Sequence, residues 1–465
     1  MSREKKADDI KGGAPKVAST DARGGRDGRL GRIHDRALDV TLLLADRVPL
    51  DRALDQIFRR SRDLGSAERG AITELAYTFS RVERRLDDRM QRAAKKLKRD
   101  LTILDAPVRA RLRLLAYYLD QGEDLATLEA RDPYAFRRAP GLFELIAKGL
   151  PDPARRAPSV RLGIEHALSD AVAERMIEAF GEARATEMAD ALLERAPFTL
   201  RVNRLKATRE EAQKRLGVPS TFTPYSPDGL ILEKRIALHD LAMFEEGWIE
   251  PQDEGSQLIA LAVGAQPGEI IYDACAGAGG KTLAMAAQMK GHGRLLAFDR
   301  DEGKLSELKK RGRRAGLTNH ETKTLDFVSI APDLVGKADR VLVDAPCTGT
   351  GTFRRHPDSR WHVTETHLRE LPERQTTLLL RAIDAVRPGG LVVYATCSVL
   401  REENEAVVAD VLARDKRLEP ADLAETLGAE LARTLGATHQ LRFGPGPGPR
   451  DPDGFYVAAL RRVGG

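Results

Sequence analysis

Two cysteines each follow a short apolar run that reads as a β-strand: Cys347 in Asp344-Ala345-Pro346-Cys347-Thr348 and Cys397 in Tyr394-Ala395-Thr396-Cys397-Ser398. A single free cysteine is usually a small buried hydrophobe. Two of them leaving neighbouring strands at one sheet edge fit a reactive pair instead. A thiolate can add to carbon 6 of a cytosine, which makes carbon 5 nucleophilic enough to take a methyl group from a sulfonium. This is covalent catalysis, one difficult step divided into two. The second thiol is then a candidate base for removing the carbon 5 proton and releasing the enzyme. LREENEAVVADVLA, after Cys397, reads as a helix, and a nearby helix N-terminus would lower the pKa of that thiol.

A place for a nucleotide-like methyl donor is legible further upstream. A strand ending at Asp273 runs into Cys275-Ala276-Gly277-Ala278-Gly279-Gly280-Lys281 and then a helix rich in Ala and Met. Glycines at such a turn let the backbone approach a ligand, and the helix start offers unpaired N–H groups. The turn lacks the GxxxxGK[ST] spacing of a P-loop, despite Gly280-Lys281-Thr282. Asp299 ends the next strand, 19 residues beyond Gly280, near the offset of ~20 at which an acid binds a ribose. Asp326 in KTLDF could reach an adenine, and Asp344 ends VLVD. One such aspartate could simply cap a helix, but four successive strands that each bring an acid to one edge point to a ligand site.

The elements that must position these residues are runs ending in Asp or Gly, namely EIIYDA, RLLAFD, TKTLD, DRVLVDAP and LVVYATCS. They alternate with helical segments, which predicts an α/β fold with a parallel, Rossmann-like sheet over residues 250–465. Before it, residues 161–249 read as a small α+β connector, in which TLRVN forms a strand and ATREEAQKRLG a helix. Residues 33–160 carry apolar positions three and four apart and predict an all-helical domain. Residues 1–32, nearly free of large apolar side chains, predict a disordered tail. Within the helical domain, Arg84, Arg85, Arg89, Arg92, Lys95, Lys96, Lys98 and Arg99 could face an RNA backbone, though charge alone favours a solvated helix face.

Composition narrows the classes. The chain has 465 residues, a net charge of +5, 42% hydrophobic and 31% charged residues. This is a soluble, multidomain balance, and the basic excess is compatible with a polyanionic partner. No apolar stretch approaches the ~18 residues of a membrane span, and the N-terminus lacks the apolar region of a secretory signal, so a cytoplasmic protein without membrane contact is expected. The only cysteines are Cys275, Cys347 and Cys397. They form no disulfide framework, and without Cys/His pairs at ligand spacing no metal site is expected.

The blocks EPQDEGSQL, YDACAGAGGKT, LAFDRDEGKL, VLVDAPCTGTG with RRHPDSRW, YATCSVLREENE and DGFYVAAL together resemble the Sun family of RNA (cytosine-5) methyltransferases, and within it the members acting on small-subunit ribosomal RNA. The resemblance implies an S-adenosylmethionine-dependent enzyme of RNA; a monomer is expected. It implies that Cys397 attacks the base and Cys347 assists release. The Cys275 to Lys281 turn, Asp299, Asp326 and Asp344 would hold the cofactor, Lys281 and Asp344 would also face the cytosine, and Phe455 would pack near the base. DNA enzymes of this chemistry use the cysteine after the proline, so Cys397 points toward RNA. Gly277 and Ala278 stand where the family's CAAPGGK has Ala and Pro, and PCT replaces its PCS. ERGAITELAYTFSRVERRL resembles a helix of the NusB-like RNA-binding domain of the ribosomal enzymes. A methyltransferase for transfer RNA or DNA, and a non-catalytic RNA-binding assembly factor, are the competing readings.

Overall fold

Side chains along the strands of the C-terminal half alternate between two cores, so both faces of the sheet are buried. In the computed structural model, Ile271, Leu295, Ala297, Leu391 and Val393 enter one apolar cluster, while Tyr272, Leu296, Phe298, Val392 and Tyr394 enter the other. The structure describes residues 28–150, 156–446, 448 and 450–464. Most of the expected tail, residues 1–27, lies outside the described residues. The first helix begins at Gly28, five residues before the expected start of the helical domain.

In chain order the helices are α1 (Gly28–Ala45), α2 (Leu50–Arg60), α3 (Ser66–Lys96), α4 (Ala106–Asp120), α5 (Leu125–Arg131), α6 (Pro133–Arg138), α7 (Leu142–Ala147), α8 (Pro158–Glu165), α9 (Asp170–Phe180) and α10 (Glu182–Leu193). Strand β1 (Phe198–Val202), α11 (Arg209–Leu216), β2 (Ser220–Phe222), β3 (Gly229–Leu232), α12 (Ala242–Glu245) and β4 (Ile249–Pro251) follow. The strands form an antiparallel sheet in the order β2-β3-β1-β4. The small sheet therefore runs through Pro251, slightly past the expected change of unit at 249/250.

The remainder comprises α13 (Glu254–Val263), β5 (Ile270–Asp273), α14 (Gly280–Gln288), β6 (Arg294–Asp299), α15 (Glu302–Ala315), β7 (His320–Thr324), β8 (Ala338–Asp344), α16 (Glu365–Ala385), β9 (Val386–Thr396), α17 (Glu405–Arg414), β10 (Leu418–Pro420), α18 (Ala424–Leu427), α19 (Ala429–Leu435), β11 (Gln440–Phe443) and β12 (Phe455–Arg462). Strands β7-β6-β5-β8-β9 lie parallel in that order, and β12, β10 and β11 extend the sheet in antiparallel fashion. Chain order reverses between β5 and β8, and ligands of open α/β sheets bind at such a switch point, beyond the carboxyl ends of the strands.

The basic stretch of α3 is largely used inside the molecule. Arg84 pairs with Asp170, Arg85 and Arg89 with Asp120, and Arg92 with Asp88. The pairs with Asp120 and Asp170 fasten α3 to α4 and α9, while Arg92–Asp88 lies within α3. Lys95, Lys96, Lys98 and Arg99, by contrast, are exposed at the end of the helix.

A buried ionic knot joins three distant segments. Asp453 is fully buried and accepts from Arg354 and Arg355, and Arg355 reaches Asp253 at 2.7 Å. Asp253 also caps α13. Arg81 of α3 donates to the Arg354 carbonyl at 3.1 Å, and Asp358 accepts from the Leu50 amide at 2.9 Å, so the helical N-terminal part rests on the same loop. Removing one member of a buried ion pair strands its partner's charge and typically costs 3–5 kcal/mol. Asp453→Ala is accordingly expected to lower unfolding stability in urea by about 3 kcal/mol or more, and a midpoint within error of wild type would contradict this role.

Candidate active site

Parallel pairing of β8 with β9, in register Asp344 with Ala395, aims both cysteine loops the same way. Cys347 Sγ lies 3.3 Å from Cys397 Sγ. Both residues are half-buried. The loops are held by their own backbone and by hydroxyls. Ala345 N donates to Ala395 O at 2.8 Å and Gly351 N to Cys397 O at 2.9 Å, while Thr350 Oγ1 and Ser398 Oγ lie 3.0 Å apart. Gly351 has no substitute here, since a Cβ would sit 2.0 Å from the Gly454 carbonyl oxygen.

Glu403, buried behind Cys347, takes the Thr348 amide at 2.9 Å and the Gln375 side-chain amide at 3.0 Å, and the Thr348 hydroxyl donates to it as well. Gln375 also holds the Pro346 carbonyl at 2.9 Å. The Cys347 thiol is pushed well above the ordinary range, first by its contact with Cys397, then by burial and the neighbouring charges of Cys397 and Glu403. Cys347 therefore keeps its proton while Cys397 is free.

Lys281 Nζ donates to Asp344 Oδ2 at 2.7 Å and stands 5.7 Å from the centre of the Phe455 ring. Burial alone would lower the lysine pKa, but Asp344 and the adjacent Cys397 outweigh it and the net shift is upward. A cation held in place by Asp344 thus lies near Cys397. Helix α17 begins only at Glu405, after a turn at Arg401–Glu403. The helix therefore starts five residues later than the expected Leu400, and Lys281 is a charged neighbour of Cys397.

The glycine turn enters α14 with Gly277 and Gly279 at φ of 54° and 88°, the left-handed region that suits glycine. Asp299 Oδ2 accepts the Gly277 amide at 2.8 Å and its Oδ1 the Asp301 amide at 2.9 Å. Asp326 lies two residues past the end of β7, where it caps a short turn and receives Arg374 at 2.9 Å. Cys275, expected at the cofactor, packs instead against the core containing Tyr272 and Phe298, and burial drives its thiol far upward. Only its backbone belongs to the turn. Among the described residues no cluster of His, Cys, Asp and Glu could hold a metal ion, and no helix is long and apolar enough to cross a membrane.

Sequence reasoning brought together Cys347, Cys397, Lys281, Asp344, Asp299 and the turn. It assigned nothing to Arg201, Glu250, Gln252, Arg311 or Glu403, although Glu250, Gln252 and Glu403 sit inside the recognised blocks EPQDEGSQL and YATCSVLREENE.

Comparison with known proteins adds the following. The family model "16S rRNA methyltransferase RsmB/F" matches residues 260–461, and "Methyltr_RsmF/B-like, ferredoxin-like domain" matches residues 171–239. "Ribosomal RNA small subunit methyltransferase B" of Yersinia enterocolitica is 36% identical over 280 residues, 59% of this chain and 62% of that protein's length. "Probable ribosomal RNA small subunit methyltransferase B" of Synechocystis sp. is 31% identical over 441 residues, 90% of this chain and 95% of that protein. The crystal structure of PH0851 superposes with a TM-score of 0.74 at 24% identity, covering 93% of this chain and 99% of the other, which shows a shared fold.

The acid at the end of β5 yields a prediction. Asp273 is buried, and burial raises its pKa to about 7, against a hydrogen bond from Thr282 that acts the other way. Between about pH 4 and 7 the unfolded chain has lost this proton and the folded one keeps it, so stability falls as pH rises, by at most ~1.4 kcal/mol per pH unit. Asp273→Asn should flatten that decline in urea titrations at pH 4.5 to 7.5, and an unchanged slope would contradict the assignment.

Proposed function

Because the chain belongs to the 16S rRNA methyltransferase RsmB/F family, we propose that it methylates carbon 5 of a cytosine in RNA, small-subunit ribosomal RNA first, through a covalent adduct on Cys397. S-adenosylmethionine is the donor. The observation that carries this reading is the pair of thiols 3.3 Å apart beside Lys281 and Asp344, at the carboxyl edge of the sheet.

The residues present fit such a donor. Each Asp299 oxygen accepts a single backbone amide, which leaves acceptor capacity for ribose hydroxyls. The first-turn amides of α14 have no carbonyl partner within the helix and suit a carboxylate. Asp326, its carboxylate held by Arg374, is the acid assigned to an adenine amino group. When bound, the donor supplies an electrophilic methyl group on a sulfonium.

The protein supplies the rest. With Lys281 as the neighbouring cation, the Cys397 sulfur adds to carbon 6 of the cytosine. Carbon 5 then becomes the nucleophile and takes the methyl group. Once Cys397 is a thioether it no longer carries a charge against Cys347, one of the influences that raise the Cys347 thiol, while burial and Glu403 remain. Cys347, its own proton given up to solvent, then acts as the base: its thiolate takes the carbon 5 proton, the C5–H electrons re-form the carbon 5–carbon 6 double bond, and the Cys397 sulfur leaves carbon 6. Asp344 holds Lys281 in place and can accept from the base's exocyclic amine, and Phe455 provides an apolar wall. A cytosine in a duplex must first be extruded or presented in a loop. The helical N-terminal part, resembling NusB-like RNA-binding domains, and the ferredoxin-like connector select that RNA, with Lys95, Lys96, Lys98 and Arg99, at and just past the end of α3, exposed for phosphate contacts.

Cys397→Ala should reduce methyl transfer to unmodified ribosomal RNA by roughly 10⁴-fold or more; activity within tenfold of wild type would overturn the mechanism. Cys347→Ala should instead accumulate an RNA-dependent, slower-migrating protein band on a denaturing gel, because the adduct forms and is not resolved. A Cys347→Ala protein that gives no such band in the presence of donor and RNA would remove the release role from this residue.

A further inference from the structure

The cofactor turn is gripped from outside by two arginines. Arg311 Nη1 donates to the Ala278 carbonyl at 2.6 Å, and Arg201 Nη1 donates to the Gly280 carbonyl at 2.7 Å. Neither arginine belongs to the turn. Arg311 comes from α15, and Arg201 comes from β1 of the small sheet, where it is almost wholly buried.

Both are held in place by residues around β4. The Gln252 side-chain oxygen accepts from the same Arg201 nitrogen at 2.8 Å, and Gln252 is tied back to β1 through its own amide, 3.1 Å from the Thr199 carbonyl. Glu250, buried, accepts from Arg311 at 3.1 Å and also pairs with Arg314. Arg314 stacks 3.8 Å from the centre of the Phe244 ring. Asn203, just past β1, donates to the Gly247 and Ala315 carbonyls at 3.0 and 2.9 Å, closing the contact between the small sheet and the end of α15.

This bracing falls on a segment with little rigidity of its own. Gly277, Gly279 and Gly280 surround Ala278, which stands where the resembled family has a proline. A Cβ at Gly277 would meet nothing within 4 Å. Gly280 opens α14 and directly precedes Lys281, so a shift of its peptide would move both the first-turn amides and the lysine near Cys397. Fixing a loop in its bound shape before the ligand arrives removes an ordering cost from binding.

We propose that Arg201 and Arg311 are positioning residues for the cofactor, a clamp by which the ferredoxin-like connector, through Gln252 and Glu250, sets the shape of the Ala276 to Lys281 turn. The connector then serves the donor site as well as the RNA. Neither arginine touches the reacting atoms; each acts through a backbone carbonyl of the turn. The proposal rests on the reading that the turn binds S-adenosylmethionine, but its structural half concerns the ligand-free protein alone.

Two variants test it. Arg311→Lys keeps a cation opposite Glu250 yet lacks the second nitrogen that reaches Ala278, and Arg311→Met removes both contacts while Arg314 still neutralises Glu250. In the ligand-free full chain, amide hydrogen exchange of residues 276–282 should quicken in both variants, with little change in the strands of the main sheet. S-adenosylhomocysteine, measured by calorimetry, should bind about tenfold more weakly to each. In turnover, KM for the donor should rise, while kcat at saturating donor and KM for RNA stay close to wild type. Arg201→Lys, reaching only one of its two partners, should show a smaller loss of donor affinity together with a fall in kcat, since the Gly280 peptide it holds leads directly into Lys281. Wild-type exchange and wild-type affinity in Arg311→Lys would overturn the clamp, as would a fall in kcat with the donor KM unchanged. Should Arg311→Met fail to fold, Arg311→Lys decides, because its ion pair with Glu250 is retained. If the wild-type protein binds no S-adenosylhomocysteine, the functional reading fails, and the exchange measurement still tests the clamp.

Discussion

The molecule depends on one geometric constraint: two strands that run parallel and adjacent must each turn sharply at their carboxyl ends so that their sulfur atoms meet at 3.3 Å. Neither loop could hold that approach alone. Glu403 and Gln375 fix the segment around Cys347, the Thr350 and Ser398 hydroxyls bridge the two loops, and the close passage of Gly351 against Gly454 brings the C-terminal segment in to seal them. The contact also distinguishes two chemically identical groups. One sulfur lies near a lysine, while the other lies near a buried carboxylate and holds its proton more tightly.

Much of this was legible in the sequence because sheet edges impose local patterns. Runs such as RLLAFD and VLVDAP carry both the alternation of a strand and the acid or cysteine at its end, so strand identity and site residue were read together. The main exception was Asp326, two residues beyond its strand in a capping turn, where the rise and fall of apolar residues in KTLDF gave no sharp boundary. Cys275 illustrates a second limit. A position in a recognised motif does not tell which way its side chain points, and this thiol enters the core.

Long-range polar contacts were not legible. Arg201 and the Gly280 carbonyl are 79 positions apart, and Asp253 and the Asp453 amide 200. No local period encodes such pairs. The basic stretch of α3 shows the converse: charge spacing is visible, but whether an acid from another helix awaits each arginine is not. Asp120 and Asp170 absorb three of those cations, which leaves the positive character of α3 concentrated at its C-terminal end.

The central claim is that Cys397, and not Cys347, forms the bond to the base. RNA substrate carrying 5-fluorocytosine at the target position traps that bond after methyl transfer, since fluorine at carbon 5 cannot leave as a proton. Wild-type protein incubated with this RNA and donor, digested with protease and nuclease, and sequenced by mass spectrometry should carry the nucleotide on the peptide containing Cys397. Recovery of the nucleotide on the Cys347 peptide, or methylation of the unmodified RNA without any trapped adduct on its fluorinated counterpart, would contradict the account.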